Sequence, residues 1–179
     1  NIELQNSLLN ENNLHAKKYS FKKEYEANVF AAELLIPSTT ITNIYSFGKT
    51  FKDIINNLSL KYDTSIMASA LKAASLMNDS ICICLQISKN NGKIINFKYS
   101  NAFREYGKGL FITKGINPYS GSIANTILKG EISLSSHQLY RCPQDWFPNF
   151  RGSEEAELHE WSFDMGENII TFLELIDTS

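Results

Sequence analysis

The spacing of apolar residues changes near residue 78, and this change constrains the fold more than any other feature of the chain. Before it, apolar residues recur every three or four positions, as in helices; after it they alternate along short runs, as in strands. Helices are predicted over 51–62, 65–77 and 122–128, and strands over 80–87, 93–99, 110–113, 131–139, 158–165 and 169–176. The sequence therefore predicts an α+β protein, with a helical half up to about residue 78 and a β-rich half after it.

Composition and charge exclude several classes of protein. The chain has 179 residues, of which 43% are hydrophobic, enough for one packed domain or two small ones. Its 17 basic and 19 acidic residues give no broad positive surface for nucleic acid. The longest apolar runs, such as 81–85, are too short to span a bilayer, so we expect a soluble protein.

The three cysteines do not have the spacing of a zinc knuckle. Cys82 and Cys84 lie two residues apart in a predicted strand and share one face, where we expect them to be small buried side chains. Cys142 stands alone. Free cysteines of this kind are typical of a reducing, cytoplasmic compartment.

A helix predicted over 20–36 carries acidic residues on an otherwise apolar surface. Ser20 is a candidate N-cap and Pro37 ends the helix; a short helix is expected to follow over 38–47, ended by Gly48. A carboxylate on a buried helix needs a partner, because an unpaired buried charge is costly. The sequence is compatible with two partners for such a carboxylate, a basic side chain and a metal ion.

The segment 24–37 has the sequence E-Y-E-A-N-V-F-A-A-E-L-L-I-P. It resembles the second signature of the ImmA/IrrE family of zinc metallopeptidases, in which a helix after an H-E-x-x-H helix supplies a glutamate as the third zinc ligand. The resemblance implies that Glu26 is this metal ligand, with Glu24 as the alternative, and that Glu33 is structural.

The resemblance extends over most of residues 20–177 and implies an organisation for the whole chain. Residues 1–49 would be the end of a zincin-like metallopeptidase domain, 50–78 a helical linker that resembles a helix-turn-helix pair, and 79–179 a β-rich, GAF-like sensor domain. The implied function is that of a cytoplasmic zinc-dependent endopeptidase. Its substrate would be a regulatory protein such as a transcriptional repressor.

The chain departs from the family in lacking H-E-x-x-H. Its histidines are His15, His137 and His159, and although Glu160 follows His159, residue 163 is Phe. None of the three is expected to bind zinc, so the 179 residues alone should have no peptidase activity. Two explanations are open: the catalytic helix precedes Asn1, which the missing initiator Met favours, or the protein is a non-catalytic relative that acts as a signal- or protein-binding module.

Two functions other than peptide hydrolysis are considered, DNA binding and the binding of a small-molecule signal. DNA binding by the pair of helices over 50–77 is disfavoured, because the second helix carries Lys72 as its one basic residue. The second of these functions is the binding of a small-molecule signal by the β-rich half, which is rich in aromatic residues. Arg104 and Arg141 are its candidates to meet an anionic group, whereas Gly107-x-Gly109 alone is weak support for a phosphate site.

Overall fold

The computed structural model describes residues 30–131 and 137–177, with residues 137–141 described by their backbone. The chain divides into two compact units, Asn1–Ile41 and Thr42–Ser179. Within the described residues, no helix is both long and apolar enough to cross a membrane. The mixed α+β class predicted from the sequence is confirmed.

The first unit contains the end of the helix predicted over 20–36. Residues 30–35 are helical (α1), and the helix stops before Pro37, as predicted. The Glu33 carboxylate accepts hydrogen bonds from the Ser38 backbone N–H (2.6 Å) and the Ser38 hydroxyl (2.9 Å). Glu33 therefore stabilises the turn after Pro37, which agrees with the structural role expected for it.

The helix predicted over 38–47 is wrong. The chain instead forms two short 3-10 turns, Ser38–Thr40 and Ile44–Phe47. The run of β-branched residues over 39–42 disfavours a continuous helix. The second turn begins separately because the Asn43 side chain accepts a hydrogen bond from the Tyr45 N–H (2.9 Å), and Gly48 ends it as predicted.

The two helices predicted over 51–62 and 65–77 are confirmed as α2 (Phe51–Tyr62) and α3 (Ile66–Leu76). Thr50 and Asp53 form a reciprocal capping box at the start of α2, and the Ser65 hydroxyl caps α3. Asp63, between them, adopts a left-handed conformation (φ 50°) that ends α2 and reverses the chain.

The second unit is built on a five-stranded antiparallel sheet with strand order β2-β1-β5-β4-β3. The strands are β1 (Ile81–Ser88), β2 (Ile94–Tyr99), β3 (His137–Arg141), β4 (Glu157–Asp164) and β5 (Asn168–Ile176). The short helices between them are α4 (Asn101–Tyr106), α5 (Ile123–Leu128) and α6 (Pro143–Trp146). Strands β1 and β5 are the first and last strands in the described sequence. They pair with each other, antiparallel, from Ile81↔Leu175 to Ser88↔Asn168.

Both faces of the sheet are covered. On one face, α2 and α3 pack against the strands: the Phe51 ring stacks on Phe172 with centroids 3.9 Å apart, and Cys82 Sγ lies 3.9 Å from the Ala74 carbonyl oxygen. On the other face, side chains from α4, α5, α6 and their loops complete the larger core. That core includes Ile83, Leu85, Ile87, Phe103, Ile123, Ile127, Phe147, Ile169 and Leu173.

Cys82 and Cys84 are both fully buried, which confirms the prediction that they pack as small core residues. Burial raises the pKa of the Cys82 thiol to about 12 and raises the pKa of Cys84 as well. Cys142 is exposed. The two strand cysteines are therefore neutral packing groups at physiological pH.

A strand predicted over 110–113 is wrong. The backbone there is irregular, although just beyond it the Gly115 N–H donates to the Ile94 carbonyl (2.8 Å) and the Ile94 N–H donates to the Ile116 carbonyl (2.9 Å). This pair of hydrogen bonds adds a single point of contact to the outer edge of β2. Helices α4 and α6 were not predicted, because segments of four to six residues show a weak helical period; the equally short α5 was predicted.

A fully buried carboxylate joins three parts of the larger core. Glu160 on β4 accepts hydrogen bonds from the Ala124 N–H of α5 (3.1 Å), the Trp146 indole N–H of α6 (3.2 Å) and the Ser162 hydroxyl (3.1 Å). Buried polar groups need such partners, because an unsatisfied donor or acceptor is costly. Glu160 therefore fixes α5 and α6 to the same strand.

We predict that Glu160→Gln lowers the free energy of unfolding by about 1.5–3 kcal/mol, the range for hydrogen bonds to a charged group. The amide would present donors where the carboxylate accepts from three donors. Urea unfolding followed by circular dichroism measures the change. Glu167→Gln, at an exposed position in the β4–β5 turn, is the matched control. Equal stabilities for the two variants would contradict a stabilising role for Glu160.

Candidate functional site

A pocket of about 210 Å³ opens on the core-facing side of β1 and β2, at the edge of the sheet. We call it the edge pocket. Its lining residues come from β1, β2, α4 and the segment that follows α4: Ile83, Phe97, Tyr99, Phe103, Arg104, Leu110, Phe111 and Ile112. These residues offer no carboxylate, imidazole or thiol, so the pocket has the chemistry of a binding site.

The aromatic wall of the pocket follows from the alternation of side chains along β2. Phe97 and Tyr99 lie two residues apart and share a face, and their partners on β1 are Leu85 and Ile83. The Phe97 and Tyr99 rings stack with centroids 6.1 Å apart, and Tyr99 stacks on Phe103 at 5.6 Å. The three rings therefore form one continuous wall.

The Ser100 hydroxyl fixes α4 against β1 and so sets the position of this wall. It accepts hydrogen bonds from the Phe103 N–H (3.1 Å) and the Cys82 N–H (3.2 Å), and it donates to the Ser80 carbonyl oxygen (2.6 Å). One buried side chain therefore caps the helix and joins it to the start of β1. Phe103 and Arg104 follow within the first turn of α4.

The opposite wall is carried by a tight reversal after α4. Gly107, Lys108 and Gly109 all have positive φ, and the Leu110 N–H donates to the Gly107 carbonyl (2.8 Å). The Arg151 N–H donates to the Lys108 carbonyl (2.8 Å), so the reversal is joined to the loop at 149–151. Gly107-x-Gly109 therefore serves to turn and dock the chain.

The segment after this reversal is held at its far end as well. Gly115 and Ile116 are hydrogen-bonded to Ile94 as described above, and Lys93 Nζ donates to the Gly115 carbonyl (2.9 Å). Between the two attachments, Phe111 lies at the pocket with 69% of its surface exposed. Phe111 therefore presents apolar surface to solvent beside the other residues that line the pocket.

Arg104 supplies the one charged side chain among the residues that line the edge pocket. It is exposed, and its guanidinium carbon lies 5.4 Å from the centre of the Tyr99 ring. Such stacking on an aromatic face orients the planar guanidinium while leaving its N–H groups available to an anion. Of the two arginines predicted to meet an anionic group, Arg104 lies at the pocket; the side chain of Arg141 lies outside the described residues.

A second cluster of charged groups lies beside the reversal and is structural. The Tyr106 hydroxyl donates a hydrogen bond to the Asp177 carboxylate, and Lys108 Nζ lies 3.6 Å from the same carboxylate. Burial and the neighbouring Asp177 raise the pKa of Tyr106 to about 12. These contacts join the loop after α4 to the end of β5.

The residues predicted to be near a metal are not brought together by the described part of the chain. His15, Glu24 and Glu26 lie outside it, and His137 has its backbone described, opposite Ser162. No group of three His, Cys, Asp or Glu side chains that could hold a metal ion occurs among the residues the structure describes. The prediction that Glu26 is a zinc ligand stays a prediction.

His159 and Glu160, adjacent in the sequence, project from opposite faces of β4. Glu160 faces the core of α5 and α6, whereas His159 pairs across the sheet with Glu174 and lies 5.5 Å from the Trp161 ring. The His159 residue is 8% exposed, and its Nε2 lies 3.9 Å from a Glu157 carboxylate oxygen. These contacts agree with the expectation that His159 is an ordinary strand residue.

Comparison with models of known protein families gave no match, and comparison with curated protein sequences also gave none. The candidate site is therefore assigned from its geometry alone.

We predict that Gly109→Ala destabilises the protein more than Gly166→Ala. The two glycines have almost the same φ, +83° and +84°, so both variants carry the strain of a left-handed alanine, about 1–2 kcal/mol. A Cβ at Gly109 would also lie 1.8 Å from the Asn149 carbonyl oxygen, whereas the space at Gly166 is open. The overlap should add about 1–3 kcal/mol.

Thermal and urea unfolding of the two glycine variants measure this difference. A Gly109→Ala protein as stable as Gly166→Ala would show that the reversal after α4 is not docked on residues 149–151.

Proposed function

We propose that the unit Thr42–Ser179 is a regulatory module that binds a small molecule in the edge pocket, as a GAF-like sensor domain would. The observation that carries this proposal is the edge pocket itself: a concave, largely apolar site with one cation at its rim. Binding sites for small molecules have this composition, with apolar and aromatic walls and a few polar groups that orient the ligand.

The attachments of the pocket walls support binding without a large rearrangement. Ser100 fixes α4 to β1, and residues 107–116 are hydrogen-bonded to the rest of the unit at both ends. A site whose walls are held in this way loses little conformational entropy when a ligand enters. Phe111 is exposed in this structure, and a ligand in contact with it would bury apolar surface that water now covers.

We further propose that this module serves a cytoplasmic zinc-dependent endopeptidase that cleaves a regulatory protein such as a transcriptional repressor. The support is the resemblance of residues 24–37 to the ImmA/IrrE signature, with Glu26 as the proposed zinc ligand. The 179 residues contain no H-E-x-x-H pair. Peptide hydrolysis would require these histidines from another segment, and a non-catalytic relative that keeps the binding module is the alternative.

The pair α2 and α3 is proposed to support the sheet rather than to read DNA. None of the residues of α3 is exposed, and Ser69, Ala70, Ala73 and Ala74 are fully buried. A recognition helix needs a face of exposed polar side chains that can reach base edges. The partner proposed for the chain is accordingly a protein substrate, with a small molecule as the signal.

Binding of fluorobenzene, followed by the ¹⁹F NMR linewidth, tests the pocket. We predict binding to the full chain, and about tenfold weaker binding to Phe111→Ala, because truncation removes apolar contact worth about 1–2 kcal/mol. Leu60→Ala is the matched control: Leu60 is 81% exposed on α2 and does not line the pocket. Absence of binding, or equal weakening in both variants, would contradict the proposed function.

The zinc ligand is tested in a chain extended upstream by an H-E-x-x-H helix. We predict that Glu26→Gln loses zinc and cleavage activity, because a neutral amide is a much poorer ligand than a carboxylate. Mutation of a residue that hydrogen-bonds to a metal ligand typically lowers metal affinity about 10–100-fold, and loss of the ligand itself should lower zinc affinity by more. Metal content by atomic emission and repressor cleavage are the measurements.

Glu24→Gln, two residues away, is the control for the zinc experiment and should retain both zinc and activity. Full zinc content and cleavage in Glu26→Gln would remove Glu26 from the site, and loss confined to Glu24→Gln would assign the ligand to Glu24.

A further inference from the structure

We propose that the edge pocket selects a single-ring aromatic carboxylate, with the ring against the aromatic wall and the carboxylate on the Arg104 guanidinium. This inference rests on the proposed function, that the pocket binds a small molecule, and it names the chemical class of that molecule. Three properties of the pocket carry it: its volume, the nature of its walls and its single charge.

The volume of about 210 Å³ fits a ligand of one ring with a short substituent. Pockets for drug-sized ligands usually measure about 300–1,000 Å³, whereas a cavity of about 150 Å³ is enough to bind benzene. A nucleotide, with a base, a sugar and a phosphate, exceeds this space. A benzene ring that carries a one- or two-carbon acid fits the volume.

The walls favour a flat ring over a flexible alkyl chain. Phe97, Tyr99 and Phe103 stack in succession with neighbouring centroids 6.1 and 5.6 Å apart, and interplanar angles of 25° and 22° make the wall nearly continuous. A ligand ring placed beside this wall can adopt the offset-stacked or edge-to-face arrangements that aromatic pairs prefer. Phe111, on the segment opposite, would cover the other side of the ring.

The charge favours an anionic substituent. The Arg104 guanidinium presents a planar fork of N–H donors that matches a carboxylate. Among the residues described, no acidic side chain forms an ion pair with Arg104; Asp164 and Asp177 pair with Lys89 and Lys108 instead. The Arg104 guanidinium is held over the Tyr99 ring. A carboxylate at the rim would therefore gain a charge-assisted contact without displacing a protein partner.

Calorimetric titration of the full chain with three ligands tests the proposal: phenylacetate, its neutral amide phenylacetamide and its saturated analogue cyclohexylacetate. We expect phenylacetate to bind about tenfold more tightly than the amide, the effect of one charge-assisted hydrogen-bonded pair. We also expect it to bind more tightly than cyclohexylacetate, because the saturated ring cannot stack on the wall.

The variant Arg104→Gln should bind phenylacetate and phenylacetamide with equal affinity, whereas Arg151→Gln should keep the preference for the acid. Both arginines are exposed, so both variants should fold, as circular dichroism would verify, and Arg151 does not line the pocket. Each variant removes one positive charge, so comparing them distinguishes a specific contact between Arg104 and the ligand from a general effect of net charge.

The outcomes distinguish the ligand class from the function on which it rests. Acid and amide that bind equally to the unaltered chain, or an Arg151→Gln variant that loses the preference as Arg104→Gln does, would overturn the carboxylate assignment. Equal affinity for phenylacetate and cyclohexylacetate would overturn the aromatic assignment. In these cases binding of fluorobenzene would leave the sensor function in place, whereas absence of fluorobenzene binding would overturn the function itself.

Discussion

The pairing of β1 with β5 is the contact on which the rest of the structure depends. It joins residues 81–88 to residues 168–175, so the last strand of the described chain lies in the middle of the sheet, between β1 and β4. The side chains of β1 alternate between the two faces of the sheet. As a result, Cys82 and Cys84 face the helical pair α2 and α3, while Ile83 and Leu85 face the larger core. Both faces must be covered, and the two sets of helices do so separately.

The edge pocket follows from where this covering ends. Buried Glu160 fixes α5 and α6 on β4, near the opposite edge of the sheet. Over β1 and β2, coverage depends on the six-residue helix α4 and on the irregular segment after it, which is attached at its two ends. A short helix and a loop fill less volume than a long helix, and the remaining space is the pocket. The same arrangement places an aromatic wall and Arg104 at its rim.

Much of the fold could be predicted from local sequence, and the errors have physical causes. The capped helices α2 and α3 and the alternating strands β1, β2, β4 and β5 were predicted correctly, because their caps and periods are local signals. The strand over 110–113 was wrong because four apolar or β-branched residues indicate burial without indicating geometry. Arg104 was a candidate for an anion site from its residue type; its position over Tyr99 depends on contacts between elements, which the sequence alone does not specify. Residues 24–37 carry the resemblance from which a zinc ligand is proposed, and the proposed ligand, Glu26, lies outside the described residues.

The most direct test of the binding site is a titration of the full chain with phenylacetate, followed in methyl NMR spectra of its isoleucine residues. Ile83 and Ile112 line the edge pocket, whereas Ile54 and Ile55 are buried on α2, which packs on the opposite face of the sheet. We predict saturable shifts of the Ile83 and Ile112 methyl signals, with the signals of Ile54 and Ile55 unchanged. Unchanged signals from Ile83 and Ile112, or shifts of equal size from Ile54 and Ile55, would contradict this prediction.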